Sequence, residues 1–210
     1  MITSQQMQDL EKKAADKGIS VEQLMENAGK QVFSVTKEKY DLTNKHIIVF
    51  AGSGNNGGDG FVAARYFAGE CPVVVLFFGK EEKLSAEAKL NYNRIKNKVN
   101  IIKVNIIKIE NKNDLGKFRL QKNLDYIFID ALLGTGVKGE LKEPISFGID
   151  YFNSLPGIKV AVDIPSSLDP DSGEIHDKAC EVDLIVCFHD LKVGLEKFKE
   201  KVVVVDIGLS

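Results

Sequence analysis

Between positions 52 and 60 the chain reads Gly52-Ser53-Gly54-Asn55-Asn56-Gly57-Gly58-Asp59-Gly60, glycines with two amides and a carboxylate set among them. This run follows an apolar stretch, His46 to Ala51, and opens an amphipathic one, Phe61 to Phe67. Glycines crowded between a strand and a helix let backbone N–H groups approach a ligand that a Cβ would hold off, and the helix N-terminus adds partial positive charge. The expectation is a phosphate cradle in a loop outside the core. A tight turn has no need of amide and carboxylate side chains, so Asn55, Asn56 and Asp59 point toward a bound molecule. Gly52 to Gly57 also fits G-x-G-x-x-G. A dehydrogenase fingerprint, however, needs an acid at the end of the second strand to hold the ribose, and here Val73 to Phe78 runs into Gly79 and Lys80.

Open parallel sheets bind ligands beyond the carboxyl ends of their strands, so polar residues after apolar runs are the next candidates. Asp130-Ala131-Leu132-Leu133-Gly134-Thr135-Gly136, Asp163-Ile164-Pro165-Ser166, and His189 with Asp190, Lys192 and Gly194 all stand at such ends. Alone, a strand-end Asp serves equally well as a cap or loop former. Two acids facing one crevice would repel unless a cation or a proton-transfer role occupied them, which favours a site built on Asp130 and Asp163. Ser166 lacks a G-x-S-x-G elbow, and its nearest histidine, His176, lies in a polar loop, so a hydrolase is disfavoured. The histidines at 46, 176 and 189 lack zinc-site spacing. Hard oxygen donors from Asn, Asp and Ser suit an alkali or magnesium ion, without choosing between them.

The elements that must position these groups alternate along the chain. Met7, Leu10 and Ala14 share a helical face ended by Gly18, and Ser20 with Gln23 predicts a capping box for a second helix, Val21 to Lys39. Short β-branched runs follow at 46–51, 72–78, 101–104, 126–130, 159–163, 184–188 and 202–206. Continuous apolar strands separated by helices predict an α/β fold: a Rossmann-like, doubly wound, mainly parallel sheet, forming one domain over residues 1–210 with two N-terminal helices. Twenty-eight basic and 30 acidic residues, mixed along the chain, leave no footprint for nucleic acid or an anionic membrane. No run approaches a membrane span or a signal-peptide core, and Cys71, Cys180 and Cys187 form no C-x-x-C, so a cytoplasmic protein with buried thiols is expected.

With these residues together, the chain resembles the YjeF N-terminal domain family, the NAD(P)H-hydrate epimerases. The resemblance rests on Asn55 to Gly60, on Leu24 to Gly29, on Asp130 to Gly136, on Asp163 to Ser166, and on Lys192-Val193-Gly194 and Asp206-Ile207-Gly208. It implies a homodimer that interconverts the R and S epimers at C6 of hydrated NADH or NADPH. By the family's pattern, Asn55, Asn56, Gly57, Gly58 and Asp59, with Gly134, Thr135, Gly136, Val137, Lys138, Gly139 and Glu140, would line the substrate, and Asp163 would contact it. Asn56, Asp130 and Ser166 would hold one potassium ion per subunit. A dehydratase acting on the S epimer, fused or separate, is the implied partner.

The family's turn usually carries Gly after its serine, and Ser167 stands there in this chain; if that position needs a positive φ, Ser167 is strained. In a hydrated dihydronicotinamide, the ring nitrogen can expel the C6 hydroxyl, leaving an iminium that water attacks from either face. One carboxyl cycling between acid and base could serve both steps, and Asp163 is the expected one. Two alternatives remain: a non-catalytic dimerisation or binding module of the same fold, and an NAD-dependent oxidoreductase.

Overall fold

The computed structural model describes residues 1–96, 104–136, 140–175 and 177–209. Helix α1 (Ser4–Asp16) starts at a capping box in which Thr3 accepts the Gln6 N–H and Gln6 accepts the Thr3 N–H. Helix α2 (Val21–Lys39) has only half of the box expected at Ser20: its hydroxyl accepts the Gln23 N–H, while the Gln23 side chain turns to Asn27. The sheet then builds through β1 (Lys45–Ala51), α3 (Asn55–Phe67), β2 (Val73–Phe77), α4 (Ala86–Lys96), β3 (Val104–Lys108), β4 (Asp125–Ala131), α5 (Ile145–Ser154), β5 (Ile158–Val162), β6 (Leu184–Phe188) and β7 (Val202–Val205). Among the described residues the seven strands are all parallel, in the order β3-β2-β1-β4-β5-β6-β7.

Side chains alternate across each strand, so one run feeds two cores. Ile47, Val49 and Ala51 of β1 pack under α2, α3 and α4 with Phe61, Phe67 and Tyr92, while Ile48 and Phe50 face α5 with Phe128, Phe147 and Phe152. Burial on both faces explains why the central strands read as unbroken apolar runs.

Two expectations are corrected. The third strand is Val104–Lys108 rather than 101–104, of which residues 101–103 lie outside the described residues. Helices do not fill every crossover: among the described residues, the connection from β5 to β6 contains no helix, and those before β4 and β7 carry the 3-10 segments Lys112–Lys117 and Val193–Lys201.

Candidate active site at the strand switch point

Strand order reverses at β1 and β4, whose chains leave the sheet in opposite directions, and their diverging exits open a crevice. A cavity of about 630 Å³ occupies it. Its walls are Met7, Gln8 and Glu11 of α1, Val21, Leu24, Met25 and Ala28 of α2, the segment Ser53–Asn56 with Asp59, and Leu132 to Gly136. Phe78, Ile145, Asp163, Phe188 and Ile207 complete the lining.

Helix α3 begins at Asn55, six residues earlier than the amphipathic run suggested, and Gly57 and Gly58 are buried inside its first two turns. A Cβ on Gly57 would stand 2.0 Å from the Gly52 carbonyl oxygen, and one on Gly58 would stand 2.5 Å from Met25 Cε and 3.1 Å from Ala88 Cβ. These glycines let α3 press against the exit of β1 and against α2 and α4, so the stretch lies within the core rather than outside it. What faces the cavity is the helix N-terminus: Gly54, at the N-cap, supplies no side chain to the first-turn N–H groups, which are left for a ligand.

Asn56 bridges the crevice by donating from Nδ2 to the Leu133 carbonyl at 2.8 Å. Asn55 accepts from the Ser85 hydroxyl at 2.8 Å. Asp130, fully buried, does not face the cavity: one carboxyl oxygen accepts the Ser166 N–H at 2.7 Å, and the other accepts the Ser166 hydroxyl at 2.5 Å and the Leu132 N–H at 3.3 Å. Ser166 in turn accepts the Leu133 N–H at 2.9 Å, so Asn56, Asp130 and Ser166 meet around Leu133. Burial raises the Asp130 carboxyl above its usual range, with the hydrogen bonds from Ser166, Leu132 and Cys180 pulling the other way.

Asp163, just past β5, is buried and takes a positive φ of 64°. Its Oδ1 accepts the Phe188 N–H at 2.9 Å and the Lys192 ammonium at 2.6 Å. Lys192 is fully buried, and its ammonium also donates to the Phe188 carbonyl at 2.7 Å. Burial works to lower the Lys192 pKa, but the charges of Asp163 and Cys187 prevail and raise it. The cation expected between the strand-end acids is thus, for Asp163, a lysine of this chain. The Lys192 loop is fixed by the N-terminus, where Ile2 donates to the Leu191 carbonyl and accepts from the Val193 N–H.

Asp59 projects from the second turn of α3 into the same cavity and has no hydrogen-bond or ion-pair partner among the described residues. Burial, then the charges of Asp163 and Glu11, push its carboxyl well above the ordinary carboxylate range. Glu11, at the α1 wall, is also raised, first by burial and then by Asp163, with Lys192 opposing.

Of the residues expected to line a substrate, Asn55, Asn56, Asp59, Gly134, Thr135, Gly136 and Asp163 come together on this cavity. Gly57 and Gly58 pack behind it, Glu140 is exposed and outside the lining, and Val137, Lys138 and Gly139 lie outside the described residues. Glu11 and the ionic role of Lys192 were not foreseen. Their signals were faint: Glu11 sits one helical turn after Met7 on the apolar stripe of α1, and Lys192 is a lone cation between Leu191 and Val193 at a strand exit. Ser167 has φ 73°, the left-handed conformation that glycine adopts freely. After β2, the nearest acid is Glu81, lowered to about 2 chiefly by Lys108 and Lys96, and it is not part of the cavity lining.

Residues 21–194 match the family model described as YjeF-related protein N-terminus. The chain is 37% identical over 205 residues to the NAD(P)H-hydrate epimerase of Nitrosopumilus maritimus, covering 95% of this chain and 89% of that protein. It is 41% identical over 214 residues to the bifunctional NAD(P)H-hydrate repair enzyme Nnr of Archaeoglobus fulgidus, covering 99% of this chain but only 41% of that protein. The crystal structure of yeast ynu0 shares the fold, with a TM-score of 0.82 at 24% identity over 98% of this chain and 87% of the yeast one. With the match running from α2 through the Lys192 loop that holds Asp163, the chain belongs to the family of YjeF-related N-terminal domains.

Proposed function

We infer that this protein epimerises C6 of hydrated NADH and NADPH, converting the R hydrate to the S form in nicotinamide nucleotide repair. The observation that carries this reading is the cavity at the switch point, where an uncapped helix N-terminus and Asn55, Asn56 and Thr135 stand in one wall system with a buried, lysine-paired Asp163. The helix N-terminus suits the pyrophosphate of a dinucleotide. Met25, Phe78 and Phe188 add apolar side chains to the cavity lining, which suits the nicotinamide ring.

Expulsion of the hydroxyl leaves an iminium with no configuration at C6, so the protein has to hold the ring, exclude all but a few waters and move protons at the two oxygens. Asp163, fixed by Lys192 and the Phe188 N–H, is an ionised acceptor for the proton of the incoming water. No group on the second strand replaces the missing ribose acid, which weighs against a dehydrogenase. Asp163, Lys192 and Asp59, placed on one cavity, weigh against a purely structural module.

Asn56, Asp130 and Ser166 are the potassium ligands in this reading. They offer an amide, a buried carboxylate without a cationic side chain among the described residues, and a hydroxyl, a hard-oxygen set that fits an alkali ion. The ion would supply charge balance for Asp130 and order to the segment Leu132–Gly136. We further propose a cytoplasmic homodimer that hands the S epimer to a dehydratase; the bifunctional relatives, of which this chain spans less than half, support such a partner. Three free, buried cysteines support a reducing compartment.

The test is a coupled assay with purified protein, mixed hydrate epimers and an S-specific dehydratase. Complete recovery of reduced nicotinamide, against recovery of the S fraction alone without the protein, is the expected result. Recovery at the spontaneous rate would refute the activity. A change in nicotinamide absorbance without the dehydratase would point to a dehydrogenase.

A further inference from the structure

We propose that Asp59 is a second proton-transferring group of this reaction, acting on the face of the nicotinamide ring opposite to Asp163. The proposal rests on the epimerase reading above. The two epimers carry their hydroxyl on opposite faces of the ring, and a ring anchored through its ribose and pyrophosphate cannot turn over within one binding event. A single carboxyl would have to reach both faces. Asp163 cannot swing to do so, because Lys192 and the Phe188 N–H both grip its Oδ1.

Asp59 supplies what Asp163 lacks. It enters from α3 whereas Asp163 enters from beyond β5, and no hydrogen bond joins the two, so they are separate walls of one cavity. It is close enough for the Asp163 charge to act on it. No described residue donates to its carboxyl or pairs with it, which leaves its oxygens to the cavity. Asp59 is half-buried, and its desolvation, then the negative charges of Asp163 and Glu11, raise its carboxyl pKa. On the helices packed against α3, Glu26 is engaged by Arg65 and Glu22 by Arg94. The result is a partner-free carboxyl with a raised pKa on one wall and a lysine-paired carboxyl on the other, two like groups in separate environments.

The steps balance without a co-reactant. The C6–O bond breaks with its electron pair as the Asp59 proton moves to the departing hydroxyl, which leaves as water, while the nitrogen lone pair forms the C=N bond. A water on the other face gives its oxygen lone pair to C6, closing the new C–O bond as the C=N pair returns to the ring nitrogen, and its proton goes to Asp163. The opposite epimer uses the same groups in exchanged roles, and proton exchange with solvent resets them.

Two carboxyls on two faces leave a signature that one carboxyl cannot. In ¹⁸O-labelled water, each epimer is supplied separately, and label uptake and inversion are followed by chromatography and mass spectrometry, with the spontaneous rate subtracted. Asp59→Asn should lose inversion by about 10² or more while still exchanging oxygen, without inversion, into one epimer. Asp163→Asn should do the same for the other epimer. In the unmutated protein, activity should fall as pH rises through a carboxyl pKa above the usual range, and Asp59→Asn should remove that alkaline fall.

Unchanged inversion in Asp59→Asn, or a loss of affinity alone, overturns the proposal. So does an Asp163→Asn protein that exchanges no oxygen into either epimer, a result that decides the matter even if Asp59→Asn fails to fold. If the unmutated protein neither inverts nor exchanges above background, the epimerase reading itself has failed instead.

Discussion

The Lys192 ammonium and the Asp163 carboxylate lie 2.6 Å apart with Lys192 fully removed from solvent, so each charge is buried beside the other. Such a pair is costly to break from one side, because the survivor stays desolvated and uncompensated. Lys192→Met, close in length and without the charge, should destabilise the fold by about 3 kcal/mol. The double variant Lys192→Met/Asp163→Asn should recover most of that loss. Denaturant midpoints at constant m-value measure both, and a double variant as unstable as the single one would mean that Lys192 matters through packing and not through Asp163.

Gly58 separates packing from binding. Its side-chain position is filled by the end of Met25 and approached by Ala88, so the branched side chain of Gly58→Val has to push Met25 aside and crowd Ala88 of α4. Overpacking of this kind costs about 1–3 kcal/mol. The expected outcome is a lowered melting temperature whether or not a dinucleotide is present. Lost affinity with an unchanged melting temperature would restore the glycine to the cavity wall.

The contrast between these sites shows what sequence carried and what it did not. Six of the strands were legible because each is a short apolar run at a β-branched composition, whereas the third, expected at 101–104, runs Val104–Lys108 with Asn105 and Lys108 in it; Asp130 and Asp163 were legible as strand-end acids because each closes such a run. The pairing of Asp163 with Lys192 was not: the two are 29 residues apart and meet only because β5 and β6 are neighbours in the sheet. Glu11 reaches the site from α1, whose position depends on packing against the finished sheet and on the anchoring of Ser4 to Asp171. The glycines of 52–60 were misplaced for a related reason. A glycine needed for helix packing and one needed for ligand approach look alike until the neighbours, here Met25 and the Gly52 carbonyl, are known.

Ser167 holds φ 73° in the turn after Ser166, where its own side chain makes no hydrogen bond among the described residues. The left-handed conformation costs an ordinary L-residue roughly 1–2 kcal/mol, part of which glycine returns through the larger freedom of its unfolded chain. Ser167→Gly should therefore stabilise the protein by about 0.5–1 kcal/mol. It should also leave the Ser166 N–H on Asp130 undisturbed, with turnover unchanged or higher. A loss of stability would show that the turn relies on the serine side chain or on its stiffer backbone.

Asp130 decides the potassium reading. Its carboxylate gathers the Ser166 N–H and hydroxyl and the Leu132 N–H, yet no cationic side chain among the described residues pairs with it. An ion held there by Asn56, Asp130 and Ser166 would bind the folded chain and not the unfolded one, so it would raise stability by mass action, about 2.7 kcal/mol at a hundredfold excess over its dissociation constant. The melting temperature should rise with potassium chloride and rise less with choline chloride at equal ionic strength. Asp130→Asn removes the one formal charge of the donor set while keeping an oxygen acceptor for Ser166, so it should abolish the difference between the two salts. Ser166→Ala should weaken the difference by removing a single neutral ligand. Identical melting curves in the two salts for the unmutated protein would show that Asp130 is a structural carboxyl satisfied by Ser166 and Leu132 alone.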